Sequence, residues 1–370
     1  MRLLICAGGT GGGVYPALAV LQALGSKADS VLWVGGEGGM EAGLVQREQV
    51  PYTSIPAAGV HGVGLRALPG NLLRLARGTL AARRVIRQFQ PDALLFTGGY
   101  VAVPVAVAGR RIPSLVYVPD IEPGLALKTI ARFADRIAVT TPDSRAFFPG
   151  DQRVTVSGYP LRPGLVPLPK EEALSRLGFQ SDLPVVLVTG GSKGARSINL
   201  AVAAALPELL KYAQVLHLTG LVTWGETQAS LPELPAALKA RYQAMPYLHD
   251  MQLAYSAADL VVSRAGASIL GEYPRFGLPS VLVPYPYAWR YQKTNAEYLV
   301  SRGAALLLED GQMAEQLLPT VLGLLQNPQR LAEMRSAMSD LAQPQAAENL
   351  AGILVELAQS SSQKAKTASW

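Results

Sequence analysis

Apolar runs in this chain stop at glycine turns, and they do so in both halves. Arg2 to Ala7 meets Gly8-Gly9-Thr10-Gly11-Gly12-Gly13, and Asp92 to Thr97 meets Gly98-Gly99-Tyr100. Pro184 to Thr189 meets Gly190-Gly191-Ser192-Lys193-Gly194-Ala195-Arg196, and Ala257 to Ser263 meets a turn at Gly266. Helical patterning follows, through Leu24 after the first turn and from Ser268 after the last. Short runs that are apolar throughout, rather than at alternate positions, are strands covered on both faces, as in a parallel α/β sheet. The pattern restarts after Gly158-Tyr159-Pro160-Leu161-Arg162-Pro163, which reads as a hinge. Two domains are therefore expected in the 370 residues.

Further strands are expected at Val31 to Gly35, Ser114 to Val118, Arg136 to Thr140 and Val154 to Ser157 in the first half. Val215 to Thr219 and Ser280 to Pro284 belong to the second. Beyond Gln312 come two apolar-periodic helices, the last from Ala346 to Leu357, which could pack back across the hinge. Gln359 to Trp370 is rich in Ser, Gln, Lys and Ala and is expected to be disordered. The expected domains are thus residues 1–160 with helix 346–357 added, residues 161–345, and a tail at 359–370.

Composition narrows the function. Apolar residues make up 49% and charged residues 16%, enough for a large core. The net charge of +6 favours anionic partners: nucleic acid, phosphorylated ligands or an anionic membrane surface. Basic residues do not interleave with aromatics, and no nucleic-acid motif occurs, so no nucleic-acid partner is expected. Cys6 is the only cysteine and sits in the first strand, which excludes an intramolecular disulfide and a cysteine metal cage. The three histidines, His61, His217 and His249, are scattered, and no metal site is expected. The start of the sequence lacks a signal-peptide pattern, and no apolar run reaches the ~20 residues of a membrane span. A cytoplasmic location is expected.

Open α/β sheets bind ligands outside the carboxyl ends of their strands. The stretch Ser263 to Asn295 sets several polar groups there. Glu272 lies one turn along the helix that begins at Ser268, and Arg290, Gln292 and Asn295 follow the strand Ser280 to Pro284. A small-residue turn before a helix offers N–H groups to phosphate, and a carboxylate beside it suits a sugar diol. Together these suggest a nucleotide-sugar pocket. The first glycine run is not a G-x-G-x-x-G with a following acid, but a tight turn alone would hardly need five glycines in six residues; it reads as a backbone anion cradle. The loop Pro119-Asp120-Ile121-Glu122-Pro123-Gly124 puts two acids at a strand end, either as site groups or as helix-start carboxylates. Leu65 to Phe89 combines Leu68, Leu72, Leu73 and Leu75 with Arg66, Arg74, Arg77, Arg83, Arg84 and Arg87, and no acid. Such a helix suits an anionic bilayer surface; a solvated helix with its apolar side in the core is the other reading.

Gly8-Gly9-Thr10-Gly11-Gly12, Gly98-Gly99-Tyr100, Gly190-Gly191-Ser192-x-Gly194-Ala195 and Arg264-x-Gly266-Ala267…Glu272, in this order and spacing, resemble the MurG family of GT-B glycosyltransferases over about residues 1 to 350. The resemblance implies two Rossmann-like domains facing across a cleft. It implies inverting transfer of GlcNAc from UDP-GlcNAc, a substrate rather than a cofactor, to undecaprenyl-diphosphate-linked muramoyl-pentapeptide (lipid I). The product, lipid II, serves peptidoglycan and hence cell-wall synthesis, cell shape and cell division. The enzyme would lie peripherally on the cytoplasmic face of the cell membrane.

By position, the acceptor diphosphate would meet Thr10, Gly11, Gly12, Gly98, Gly99 and Tyr100. The donor would meet Arg162, Gly191, Ser192 and the helix start at Ala267 and Ser268. Leu248 would meet uracil through its backbone, Glu272 the ribose hydroxyls and Gln292 the GlcNAc hydroxyls. Leu72, Leu73, Arg74, Leu75 and Arg77 would touch the membrane.

The sequence departs from the family pattern at three places. Gly13 stands where the first loop usually has histidine, Tyr117-Val118-Pro119-Asp120 replaces His-Glu-Gln-Asn, and Tyr291 replaces the first of paired glutamines. Asp120 is then the expected base, with Glu122 as alternate, unless both acids only order their loop. Two other functions stay open. One is a related transferase for another lipid or glycan acceptor; the other is a non-catalytic UDP-sugar-binding paralogue.

Overall fold

The computed structural model describes residues 1–8, 11–59, 64, 66, 68–287 and 291–367. Thr10, His61 and Arg290, which the sequence singles out, lie outside the described residues. Two compact units emerge: Met1–Pro163 with Pro344–Trp370, and Gly164–Gln343.

The first unit is built on strands β1 (Arg2–Cys6), β2 (Ser30–Gly36), β3 (Tyr52–Ile55), β4 (Ala93–Phe96), β5 (Ser114–Val118), β6 (Arg136–Val139) and β7 (Val154–Val156). All pair in parallel, in the order β3-β2-β1-β4-β5-β6-β7. The second unit contains β8 (Val185–Thr189), β9 (Gln214–Leu218), β10 (Tyr242–Met245), β11 (Leu260–Ser263), β12 (Ser280–Leu282) and β13 (Ala305–Leu307), again all parallel, in the order β10-β9-β8-β11-β12-β13. Each sheet is the Rossmann arrangement, in which the strand order reverses beside the first strand and opens a crevice at the carboxyl ends. The switch point falls between β1 and β4 in one sheet and between β8 and β11 in the other.

Side-chain alternation divides each strand between two cores. In the first unit Leu3, Ile5, Leu95 and Tyr117 face the helix Gly11–Leu24 and the last helix, Ala346–Thr367. Leu4, Cys6, Leu94, Phe96 and Val116 face the opposite layer, made by helices Leu68–Phe89, Ala102–Ala108 and Leu125–Ile130. In the second unit Val186, Val188, Val262 and Val281 pack on helices Arg196–Leu209 and Met313–Leu325.

Three strands lie where the sequence pattern placed none: β3, β10 and β13. Each is a sheet edge; β3 and β10 read as short mixed runs, YTSI and YQAM, whereas β13 is apolar throughout, ALL, but only three residues long. An edge strand is not buried on all sides and has no need of a continuous apolar run. Beyond Gln312 three helices follow rather than two, Met313–Leu325, Pro328–Ser339 and Ala346–Thr367. The tail from Gln359, expected to be disordered, continues the last helix to Thr367. Gln, Lys and Ala are adequate helix formers, and no glycine or proline interrupts them.

Candidate functional site

At the first switch point two glycine turns touch through their backbones. Gly98 and Gly99 adopt φ of +146° and +87°, a region closed to most side chains. A Cβ on Gly99 would lie 2.7 Å from the Gly8 carbonyl oxygen. Thr97 Oγ1 donates to the Gly13 carbonyl at 2.6 Å, and its N–H reaches Cys6 O at 3.4 Å. The helix Gly11–Leu24 starts inside the glycine run, with Gly11 and Gly12 in its first turn. Gly13 is buried, and a Cβ there would come within 3.1 Å of the Thr97 carbonyl oxygen. A histidine at this position would require Thr97 to shift. Tyr100, beside the turn, is 52% exposed.

Beneath this turn lies a carboxylate that the sequence pattern did not single out. Glu41 is buried, and its Oε1 accepts from Gly36 N–H at 2.8 Å. A Cβ on Gly8 would lie 2.7 Å from the same oxygen. Burial pushes the Cys6 thiol well up, and the Glu41 charge adds to it. The Tyr52 hydroxyl is pushed up to about 12 by burial, then by Glu41 and Cys6. Cys6 is thus a neutral core residue.

The loop after β5 holds Asp120 and Glu122, both half-buried, in alternation with buried Ile121 and Pro123. Thr140 Oγ1 donates to Pro119 O at 2.8 Å, which fixes the start of the loop to β6. The Tyr117 hydroxyl lies 2.7 Å from Thr140 Oγ1. Tyr117 and Val118 are fully buried and therefore closed to a ligand. Burial pushes Tyr117 well up, the Thr140 hydrogen bond opposes it, and the Asp120 charge adds to it. Arg162 also belongs to this unit: its guanidinium lies over the Tyr15 ring, 5.0 Å from the centroid.

At the second switch point, the turn Gly190–Gly194 follows β8. Gly191 and Gly194 have φ of +82° and +89°. A Cβ on Gly194 would overlap Thr223 Oγ1 and the Thr219 carbonyl. Leu221 N–H donates to Ser192 O at 3.0 Å. The shelf at 219–223 rests in turn on a buried polar chain. Asn199 Nδ2 donates to Thr219 O at 2.8 Å, and Asn199 Oδ1 lies 3.0 Å from His217 Nε2. Oδ1 can only accept, so Nε2 carries the proton and Nδ1 accepts from the Tyr242 hydroxyl at 3.0 Å. Burial lowers the His217 pKa to about 4, so it is a neutral structural group.

Across the crevice Arg264 follows β11, and it is committed to the protein. It donates to Val283 O at 3.1 Å, Asp310 Oδ1 at 2.5 Å and Ser197 Oγ at 2.8 Å. Asn295, fully buried, donates to Ala265 O at 3.1 Å. Ala267 and Ser268 then lead into the helix Ile269–Phe276, which ends at Gly277 in the left-handed region. Glu272 is half-buried on that helix, and its Oε2 accepts from the Tyr255 hydroxyl at 2.7 Å. Tyr273 donates to Ser263 Oγ at 2.8 Å and so ties the helix to the end of β11. Gln292 Oε1 accepts from Tyr285 N–H at 2.9 Å. Leu248 is half-buried between β10 and the helix Met251–Ala257, flanked by exposed Tyr247 and His249.

In the second unit Gly191, Ser192, Ala267, Ser268 and Glu272 thus gather at adjacent strand ends. Gly11, Gly12, Gly98, Gly99 and Tyr100 gather at the first switch point. The sequence missed the Arg264–Asp310–Ser197 and Asn199–His217 sets. Their members are far apart in the chain, and short polar residues in a helix or strand give no local signal.

The helix Leu68–Phe89 carries Leu72 and Leu73 at 53% exposure, with Arg74 and Arg77 also exposed and Leu75 half-buried. Its buried contacts are Gly78 and Ala82, toward the sheet side. Leu80, at 57%, and Val107 and Phe133 on the same helical layer are also exposed. Among the described residues, no helix is long and apolar enough to cross a membrane.

Residues 3–139 match the glycosyltransferase family 28 N-terminal domain, and residues 185–350 match the glycosyltransferase family 28 C-terminal domain. A Roseiflexus sp. (strain RS-1) protein is 40% identical, over 96% of this chain and 95% of its own length. It is named UDP-N-acetylglucosamine--N-acetylmuramyl-(pentapeptide) pyrophosphoryl-undecaprenol N-acetylglucosamine transferase. A protein of the same name from Desulforudis audaxviator (strain MP104C) is 38% identical, over 97% of this chain and 99% of its own. The crystal structure of Acinetobacter baumannii MurG is similar with a TM-score of 0.76 at 30% identity, over 96% of this chain and 99% of that one.

Proposed function

Because the chain belongs to glycosyltransferase family 28, we propose that it transfers N-acetylglucosamine from UDP-N-acetylglucosamine to undecaprenyl-diphosphate-linked muramoyl-pentapeptide, lipid I, giving lipid II. It is a hexosyltransferase of the GT-B fold. The observation that carries this reading is the second switch point. There a glycine turn and a carboxylate stand at adjacent strand ends, in a chain whose near-full-length relatives are named for this transfer.

In the reaction a hydroxyl of the acceptor sugar attacks the anomeric carbon of the donor. The bond from that carbon to the UDP oxygen breaks with inversion, and the hydroxyl proton passes to Asp120, or to Glu122 as alternate. Negative charge that develops on the diphosphate is met by the Gly191–Ser192 turn, the helix start at Ala267 and Ser268, and the Arg162 guanidinium. Glu272 accepts from the ribose hydroxyls, and the Leu248 backbone meets uracil. Gln292 already accepts a backbone N–H through Oε1, so sugar hydroxyls would meet its NH2 group. The acceptor diphosphate lies on Thr10, Gly11, Gly12, Gly98, Gly99 and Tyr100.

Peripheral contact with the cytoplasmic face of an anionic membrane goes with this acceptor. Exposed Leu72 and Leu73 beside Arg74 and Arg77 support it, with Leu75 at the margin.

A product assay with purified protein, UDP-GlcNAc and lipid I tests the reading, and lipid II and UDP are expected in equal amounts. Buried Gly13 and Tyr117, in place of the family's polar groups, favour a second reading: transfer to a different lipid or glycan acceptor. Turnover on another polyprenyl diphosphate but not on lipid I would select it. Binding of UDP-GlcNAc without transfer to any acceptor would select a non-catalytic protein.

A further inference from the structure

The hydroxyl of Tyr255 donates to Glu272 Oε2 at 2.7 Å. The two residues come from different helices, Met251–Ala257 and Ile269–Phe276, which pack side by side. Tyr255 is buried, and its ring is held on two sides. It meets Tyr273 edge-on at 5.9 Å and 76°, and Phe276 at 5.2 Å and 57°. Tyr273 is itself anchored by its bond to Ser263 Oγ. The phenol oxygen is therefore a fixed point, set by packing and not by the carboxylate it serves.

We propose that Tyr255 is the positioning residue for the ribose-binding carboxylate. The proposal rests on the reading of Glu272 as the acid that accepts from the ribose hydroxyls. A glutamate side chain has three rotatable bonds, and ordering it for a ligand costs conformational entropy. A hydrogen bond from a fixed phenol bears much of that cost before the ligand arrives. An ionised carboxylate offers about four acceptor sites, so accepting from Tyr255 does not exhaust it. The bond fixes the plane of the carboxylate, and the orientation of its remaining acceptor sites follows. Tyr255 thereby selects for the ribose diol without touching it. No local sequence pattern signals the pairing, since the two residues stand 17 apart on separate helices.

The test is direct binding of UDP and of 2′,3′-dideoxy-UDP to the wild type, Tyr255→Phe, Glu272→Ala and the double variant. Tyr255→Phe keeps the ring and its aromatic contacts and removes only the donor. It should weaken UDP by roughly five- to tenfold and leave dideoxy-UDP unchanged. The double variant should be no weaker than Glu272→Ala alone, and the KM for UDP-GlcNAc should rise in Tyr255→Phe with kcat retained. The ratio of the two affinities does not depend on how much of a variant is folded. Equal loss for both ligands would overturn the proposal, as would additive loss in the double variant. A Tyr255→Phe protein with full UDP affinity, beside a weakened Glu272→Ala, would overturn positioning and keep the ribose reading. An unchanged ratio in Glu272→Ala would remove the ribose reading, and the positioning role with it.

Discussion

The two switch points share a topology and differ in what holds them. Between β1 and β4 the turns meet largely through backbone, Gly8 against Gly99 and Gly13 against Thr97, with a side-chain bond from the Thr97 hydroxyl to the Gly13 carbonyl. Between β8 and β11 side chains do the holding: Arg264 with Asp310 and Ser197, Asn199 with His217 and Thr219, Asn295 with Ala265. A backbone crevice offers N–H groups to an anion and little else, which suits the diphosphate of an acceptor carried by a lipid. A crevice with committed side chains can hold further polar groups at set positions, which suits a ligand with a base, a ribose and a sugar to tell apart. The proposed base, Asp120 or Glu122, stands beside the first crevice in the loop after β5.

That contrast breaks first at this loop. Asp120→Asn, or Glu122→Gln if the roles are exchanged, should lower turnover by at least ~10²-fold with UDP affinity intact. Full activity in both single variants and the double variant would leave the loop acids structural.

The second expected effect is on stability, and it singles out the side-chain-held unit. His217 has a pKa of about 4 in the fold against 6.5 for the free group. Between these values the unfolded chain binds a proton that the folded chain does not. The contribution is therefore complete above pH 6.5 and is lost as pH falls toward about 4, on the order of 3 kcal/mol in all. Denaturant titrations at several pH values should show this loss in the wild type and not in His217→Gln. Parallel curves for the two proteins would mean that the Asn199–His217 chain carries no such load.

Smaller effects follow. Glu272→Ala should weaken UDP by about ten- to a hundredfold, measured by calorimetry; no change would leave it a helix-surface acid. Gln292→Ala should reduce the preference for UDP-GlcNAc over UDP-GalNAc by roughly tenfold, through loss of a hydrogen bond to the sugar hydroxyls. A wild type without that preference would remove the assignment. Last, Arg74→Ala and Arg77→Ala should each take about 1 kcal/mol from binding to anionic vesicles, a difference that added salt erases. Equal sedimentation with neutral vesicles would exclude an electrostatic contact.

How much of this was legible in the sequence depends on how far apart the partners lie. Interior strands such as Leu3–Cys6 and Val185–Thr189 announce themselves as unbroken apolar runs ended by glycine. The edge strands Tyr52–Ile55 and Tyr242–Met245 do not, because half-exposed strands need no such run. Glycines at Gly99 and Gly191 signal turns, but the close approach of Gly99 to Gly8 depends on the pairing of β1 with β4. Glu272 is visible as an acid one turn into a helix. Its partner Tyr255 and the burial of Glu41 are not, since both arise only when separate elements pack. The same holds for Arg264, whose contacts with Asp310, Ser197 and two carbonyls bring together distant parts of the chain.

The polypeptide leaves its first unit at Pro163 and returns to it at Pro344. Leu350, Ala351, Leu354 and Leu357 of the last helix belong to the same core as Leu3, Ile5 and Trp33. On the ribosome, the first sheet therefore emerges long before the side chains that finish one of its faces. The intervening unit has all of its strands between Gly164 and Gln343 and can close while its host is still incomplete. The order of synthesis is thus not the order of completion: the N-terminal half is made first and sealed last. Until the final helix arrives, Leu3, Ile5 and Leu95 lack part of the layer that covers their face of the sheet.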